Sequence, residues 1–436
     1  MLLRFGCSNY KSINEYQELV MTATSLADTQ MEPIDFPEGK IKALPVIAIY
    51  GANASGKTNI IEAMKFACDF VLDSYKGNTK GVERSYFKLD KNSKQRPSEF
   101  DCDVVINGRH YNYGFSLDDE TVLEEWLFEF NYGQRKSRRT LFYRNRSHEN
   151  EFSFGSHLKG KNKDIADLTR DNCLFLSSGA QNKHPLLTEI YDAFDNTIFK
   201  FGHFPALQSL LNSLEDEDNL EFVSSFLTFA DTGIEQINFR KEALTEEQKA
   251  IFNKVSGALN QLTKSDDDVD DELFQTLFGD GEEQASLEFV HKSCEQNTSL
   301  ALEEQSLGTR NLIPTLLFTK HVLDSGSILV VDELNDSLHP LLVIELLKLF
   351  KDSKSNPNGA QLILTTHETS ILTSNILRRD QVWLAEKSKE GESYFTPLSD
   401  FKLRSNDNIA KGYLEGRFGA IPFFGDIKGI YKGNAE

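Results

Sequence analysis

The chain has 436 residues, 39% hydrophobic and 26% charged, with 27 Gly and 11 Pro; whole-chain disorder and collagen-like repeats are excluded, and one large or two to three ordinary domains are expected. A formal net charge of −20 repels polyanions at long range and disfavours broad electrostatic binding to DNA, leaving only a local basic patch as a route to nucleic acid. The longest purely apolar stretch, Leu44 to Tyr50, is far short of the ~18 residues of a membrane span, the N-terminus lacks a signal-peptide core, and five scattered cysteines (Cys7, Cys68, Cys102, Cys173, Cys294) read as reduced thiols, so a cytoplasmic protein without membrane contact is expected.

A strand is predicted over Leu2 to Cys7, then a turn at Ser8 to Ser12 and a second strand around Tyr16 to Thr22. Leu44 to Tyr50 is rich in β-formers and ends at Gly51, the pattern of a buried strand. From Asn59 to Tyr75, Ile60, Met64, Cys68 and Val71 recur at helical spacing. Tyr111, Tyr113, Phe115 and Leu117, then Trp126, Phe128 and Phe130, alternate with period two and predict an antiparallel sheet with one buried face. From about Gly133 basic residues cluster (Arg135, Lys136, Arg138, Arg139, Arg144, Arg146), either as an ordinary hairpin face or as a patch for nucleic acid or a partner. Helical patterns dominate from Lys183 to Phe278, and the acidic run Ser265 to Glu272 within them reads as a solvated loop. From Ala285 an α/β pattern returns: strands at Ile328 to Val331 and Leu362 to Thr365 are separated by a helix opening at Pro340, a favoured first-turn residue. No internal repeat is apparent.

Gly51-Ala-Asn-Ala-Ser-Gly-Lys-Thr58 matches G-x-x-x-x-G-K-[ST] without a mismatch, following a buried strand and opening a helix. Such a loop turns successive N–H groups inward onto phosphate oxygens. Gly51, Asn53, Ala54, Ser55, Gly56, Lys57, Thr58 and Asn59 are therefore expected around ATP, with Lys57 reaching the β- and γ-phosphates and Thr58 ligating Mg²⁺. The apolar strand Ser327 to Val331 ends in Asp332 and Glu333. A carboxylate there suits the metal, which assigns Asp332 to Mg²⁺ through water and Glu333 to polarising the attacking water. Asp332 follows Lys57 by 275 residues, so an inserted region separates two halves of one ATPase.

With Gln305-Ser-Leu-Gly-Thr-Arg310 before that strand and Leu362-Ile-Leu-Thr-Thr-His367 after it, the sequence resembles the ABC-type ATPases. The resemblance implies that Ser306, Gly308 and Thr309 form a signature at a helix N-terminus. There a hydroxyl, a backbone N–H and the helix dipole cap the γ-phosphate of a nucleotide held by a partner protomer. It makes His367 the switch histidine and Asn335 to Pro340 the loop crossing the dimer interface. Ser306-Leu-Gly-Thr departs from the transporter-type Leu-Ser-Gly-Gly-Gln. The magnesium-contacting glutamine of many such ATPases has Gln95 as its candidate. The implied fold is α/β, a P-loop NTPase of ABC-ATPase head type with an antiparallel β lobe and a mostly helical insertion. Its expected divisions are 1–135 (head with Walker A), 136–283 (insertion) and 284–436 (signature, Walker B, switch histidine).

Asn9-Tyr-Lys-Ser12, Ala230-Asp-Thr-Gly-Ile234 and Tyr413-Leu-Glu-Gly-Arg-Phe-Gly-Ala-Ile-Pro422 extend the resemblance to the OLD-like and RloA/AriA-like ATPases of prokaryotic anti-phage systems. OLD nucleases continue into a TOPRIM domain, whereas here the sequence stops fourteen residues after Pro422. The resemblance therefore implies an ATP-hydrolysing sensor and switch, a homodimer or higher homo-oligomer sandwiching ATP. It would answer a phage-derived trigger and control a separately encoded toxic effector, a TOPRIM-type nuclease foremost. The alternatives are a RecF- or SMC-like DNA-maintenance ATPase and a slowly hydrolysing assembly scaffold. No long heptad run supports the DNA-maintenance reading, and the net charge opposes it.

Overall fold

Period-two alternation builds a seven-stranded antiparallel sheet, in the order Phe152–Phe154, Ser137–Asn145, Val122–Asn131, Arg109–Leu117, Ser98–Ile106, Leu2–Ser8, Gln17–Val20. The computed structural model describes residues 1–28, 30–36, 41–77, 80–132, 137–201, 207–230, 232–243, 283–292, 298–335, 338–403 and 407–421. Tyr111, Tyr113, Phe115 and Leu117 are all buried, as the alternation predicts. The second aromatic series differs. Gly114 pairs with Trp126, Asn112 with Phe128 and His110 with Phe130, so these rings are half-buried on the face that carries polar neighbours, while Val122, Glu125 and Leu127 fill the core. A bulge between Leu127 and Phe128 accompanies the change.

A second sheet has six strands, ordered Thr197–Phe201, Ile328–Asp332, Gln361–Thr365, Val46–Gly51, Val382–Lys387, Ser393–Pro397. The first five run parallel and the last is antiparallel to its neighbour. Val46–Gly51 is buried at every position, as a central parallel strand covered on both faces must be. The helix Lys57–Asp73 starts two residues earlier than its apolar spacing suggests. It buries Ile60, Ile61, Met64, Ala67 and Val71 in one core with Phe100 and Phe115 of the antiparallel sheet and Ile47, Ile49 and Ile363 of the parallel one. Each large apolar side chain so buried contributes about 1.5–3 kcal/mol. That packing fixes the helix whose first residues are Lys57 and Thr58.

The chain divides into two compact units, Met1–Phe201 with Val322–Asn335 and Val343–Glu436, and Gly202–His321 with Asp336–Leu342. A boundary at residue 136 would split a sheet hairpin, because Ser137–Asn145 pairs with Val122–Asn131. The second unit contains the helices Leu207–Leu214 and Glu217–Phe229 and an antiparallel sheet of Ile234–Ala243, Glu283–His291 and Thr298–Ala301. The acidic run Ser265 to Glu272 and Cys294 lie outside the described residues, as do Arg135 and Lys136. Cys7, Cys68, Cys102 and Cys173 are free thiols.

Candidate functional site

The strand Val46–Gly51 delivers its C-terminal end into a loop that turns on two left-handed residues, Ala54 (φ 63°) and Gly56 (φ 105°). Gly56 is required there by space as well as by backbone, since a Cβ would meet Ser393 Oγ at 2.1 Å. The helix beginning at Lys57 has no side-chain cap and no acidic residue in its first turn. Its first N–H groups and positive dipole end thus lack an anion of their own, which suits a phosphate. Ser55 Oγ in the same loop is buried and unpartnered among the described residues.

Lys57 is buried, and its Nζ donates to Gly51 O (3.0 Å) and Ala52 O (3.1 Å) and lies 3.0 Å from His367 Nε2. Burial lowers the Lys57 pKa, against the raising influence of Glu333 and Asp332. Burial likewise lowers His367, helped by the Lys57 charge, so a neutral imidazole faces the ammonium. Thr58 Oγ1 donates to Asp332 Oδ2 (2.9 Å), and Thr365 Oγ1 donates to Asp332 Oδ1 (2.6 Å). Thr365 Oγ1 also accepts from Glu333 N (2.7 Å). Glu333 adopts φ 52°, an uncommon left-handed conformation for a side-chain-bearing residue. Its carboxylate is half exposed, 3.8 Å from His367 Nε2.

Lys57, Thr58, Asp332 and Glu333 of the two Walker elements and the candidate switch residue His367 therefore converge at the carboxyl ends of three adjacent strands, where α/β sheets bind ligands. Thr58 and Asp332 offer only oxygen, the donor type that Mg²⁺ prefers. Two oxygen donors leave positions that phosphate oxygens and water could complete around such a hard cation.

Thr365 and Ser393 escaped sequence reasoning. Thr365 sits two residues before His367 in a run that reads only as a strand. Ser393 stands where nothing but tertiary contact reveals it: its Oγ donates to Ser55 O (2.7 Å) and lies 2.7 Å from Ser12 Oγ, which accepts from Asn59 Nδ2 (2.5 Å). Asn9 and Ser12 of the early turn thus have separate tasks. Asn9 Nδ2 donates to the carbonyls of Ser93 and Arg96 (2.8 Å each), and Ser12 reaches the phosphate loop. Gln95 is exposed on the single turn Ser93–Gln95. Tyr413 packs edge-on against Tyr50 (5.7 Å) and Ala420 N donates to Glu386 Oε1 (3.1 Å), which seats the C-terminal motif beside the phosphate-loop strand.

The described members of the basic cluster have local partners. Arg138 lies 4.3 Å from the Phe128 ring centre, Arg139 meets Glu129, Arg144 is buried against Glu151 (2.6 Å), and Arg146 meets Asp171 (2.7 Å). In the second unit, Ser306 Oγ accepts from Thr309 N (3.1 Å) and caps the helix Leu307–Ser325, with Ser306 exposed and Gly308 half-buried. Asn335 Oδ1 accepts from Thr366 Oγ1 (2.8 Å), and Asp336 and Ser337 lie outside the described residues. No helix among the described residues is long and apolar enough to cross a membrane.

A search among curated proteins returns no match. Among solved structures, the chain is similar to an SMC head bound to the C-terminal winged-helix domain of ScpA (12% identity, 92% of this chain and 99% of that one, TM-score 0.43). It is also similar to the SMC head domain from Thermotoga maritima (13% identity, 91% and 98%, TM-score 0.39). A family model described as "AAA domain, putative AbiEii toxin, Type IV TA system" matches residues 46–373, from the phosphate-loop strand to beyond His367. With that match spanning most of the chain and all five converging residues, the protein belongs to this family of AAA-domain P-loop ATPases.

Proposed function

We propose that the protein binds and hydrolyses ATP and uses the cycle as the sensor and switch of an anti-phage, toxin-type system, acting in the cytoplasm on a separately encoded effector. The convergence of Lys57, Thr58, Asp332, Glu333 and His367 carries the ATPase half of this reading. Lys57 and the loop N–H groups bind the β- and γ-phosphates; Thr58 and Asp332 hold the cation. Magnesium would neutralise charge developing on the phosphate oxygens. Glu333, half exposed beside His367, accepts the proton of the attacking water, and His367, as the switch histidine, senses the γ-phosphate. The family model's toxin–antitoxin description supports the defence half, together with the motifs at Asn9, Ala230 and Tyr413. A TOPRIM-type nuclease is the effector that the resemblance favours.

The second unit supplies Ser306, Gly308 and Thr309 on an exposed helix start, an arrangement suited to capping the nucleotide of a partner protomer in a two-fold dimer. Two experiments test the reading. Glu333→Gln is expected to keep ATP bound and slow turnover by ~10²-fold or more; a wild-type rate would remove Glu333 from the mechanism. Affinity purification after co-expression with each neighbouring gene is expected to recover one effector. Recovery of none would favour DNA maintenance.

A further inference from the structure

Ser393 begins the edge strand Ser393–Pro397, 338 positions beyond Ser55 in sequence, yet its side chain is 1% exposed and closes directly on the phosphate loop. Its Oγ donates to Ser55 O at 2.7 Å. Its backbone N donates to Ser12 O at 2.8 Å, which fixes Ser393 from a second direction. In a trans peptide the carbonyl of one residue and the N–H of the next point opposite ways. A Ser55 carbonyl held toward Ser393 therefore aims the Gly56 N–H away from Ser393.

Gly56 makes this restraint consequential. At φ 105° it occupies a conformation open to glycine, and a rotation of the Ser55–Gly56 peptide would carry it to negative φ, equally open to glycine. After that rotation the loop would present a carbonyl oxygen where the amide had been, and a bound phosphate would meet repulsion instead of a donor. The glycine that the loop needs for its shape is thus also its loosest joint. Ser55 N donates to Ala52 O (3.2 Å) and restrains only the preceding peptide.

We infer that Ser393 is a positioning residue for the phosphate loop: its hydroxyl locks the Ser55–Gly56 peptide in the orientation that donates to the nucleotide's phosphates. The inference rests on the ATPase reading and extends it to a residue outside the nucleotide motifs. Ser12 is the natural comparison. It belongs to the same hydroxyl network through Ser393 and Asn59 but makes no hydrogen bond to Ser55 O.

Calorimetry with ATP–Mg²⁺ and with inorganic tripolyphosphate, on the wild-type chain, Ser393→Ala and Ser12→Ala, tests the inference. Ser393→Ala should weaken both ligands about tenfold, the worth of one hydrogen bond, and raise KM in proportion while kcat at saturation stays within about twofold. Ser12→Ala removes a comparable part of the network and serves as the control for general loosening. Its loss of affinity should be at least about threefold smaller. Equal losses for the two variants, or wild-type affinity in Ser393→Ala, would overturn the assignment. Failure of the wild-type chain to bind either probe would instead overturn the ATPase reading on which it rests.

Discussion

Lys57 spends its ammonium on the two loop carbonyls and His367, while Glu333 and Asp332, at the end of the strand Ile328–Asp332, oppose the lowering of its pKa by burial. Lys57→Ala should abolish measurable ATP binding and leave circular dichroism unchanged, because charge-assisted contacts worth ~1.5–3 kcal/mol each are lost. Wild-type affinity in calorimetry would contradict the assignment. His367 gives a pH signature of its own. Burial, then Lys57, holds its folded pKa below the ordinary 6.5, so on acidification the unfolded chain takes up a proton that the folded chain refuses. Above 6.5 neither state is protonated and the residue contributes no slope; below it, stability falls with pH until the folded value is reached. His367→Gln should therefore lose less stability than the wild type between pH 7.5 and pH 5.5 in urea unfolding. A steeper acid loss in the variant would reverse the sign and refute the argument.

At the scale of elements, Glu125 joins the antiparallel sheet to the helix Phe175–Gln181. Fully buried, it accepts from Phe175 N (2.6 Å), Leu176 N (2.9 Å) and Tyr113 OH (3.0 Å). Glu125→Leu would leave three buried donors without an acceptor, and unfolding titrations should show a loss of ~3 kcal/mol or more. A neutral outcome would mean that the helix start repacks onto other acceptors. Glu125 also shows where reading the sequence ran out. The strands Val46–Gly51, Ile328–Asp332 and Gln361–Thr365 were legible because a parallel strand covered on both faces is apolar throughout, and the loop motif fixed the site at their ends. Thr197–Phe201, Val382–Lys387 and Ser393–Pro397 were not, since their flanking or outer positions are mixed and only their neighbours make them strands. The aromatic series from Trp126 to Phe130 misleads in the same way. Periodicity reports that one face differs from the other but not which face is buried, and a glutamate on the core side gives the opposite hint. Ser393 carries no pattern; its role is written in the position of Gly56.

For the whole molecule, the dimer reading makes a prediction of its own. Lys57→Ala and Gly308→Asp should each be nearly inactive, the second because a carboxylate there repels a γ-phosphate. Mixed and re-associated, they should regain partial ATPase activity, since one composite site then carries both lesions and the other neither. A tandem-fused dimer with one lesioned site shows whether a single intact site suffices. If it does and demonstrated subunit exchange restores nothing, Ser306 and Gly308 do not complete the site of a partner.

The strand order has a consequence for the protein's synthesis. Val46–Gly51 carries the phosphate loop, but its partners on either side are Gln361–Thr365 and Val382–Lys387, Thr58 meets an aspartate 274 residues later, and Ser12 meets a serine 381 residues later. A chain emerging from the ribosome exposes the complete loop motif early, with no sheet to hold it. Most of the chain must be made before the strand is flanked and the loop braced. Nucleotide recognition thus comes last in the life of each nascent molecule, and translation that stops short yields chains bearing the motif without the strands and side chains that complete its site.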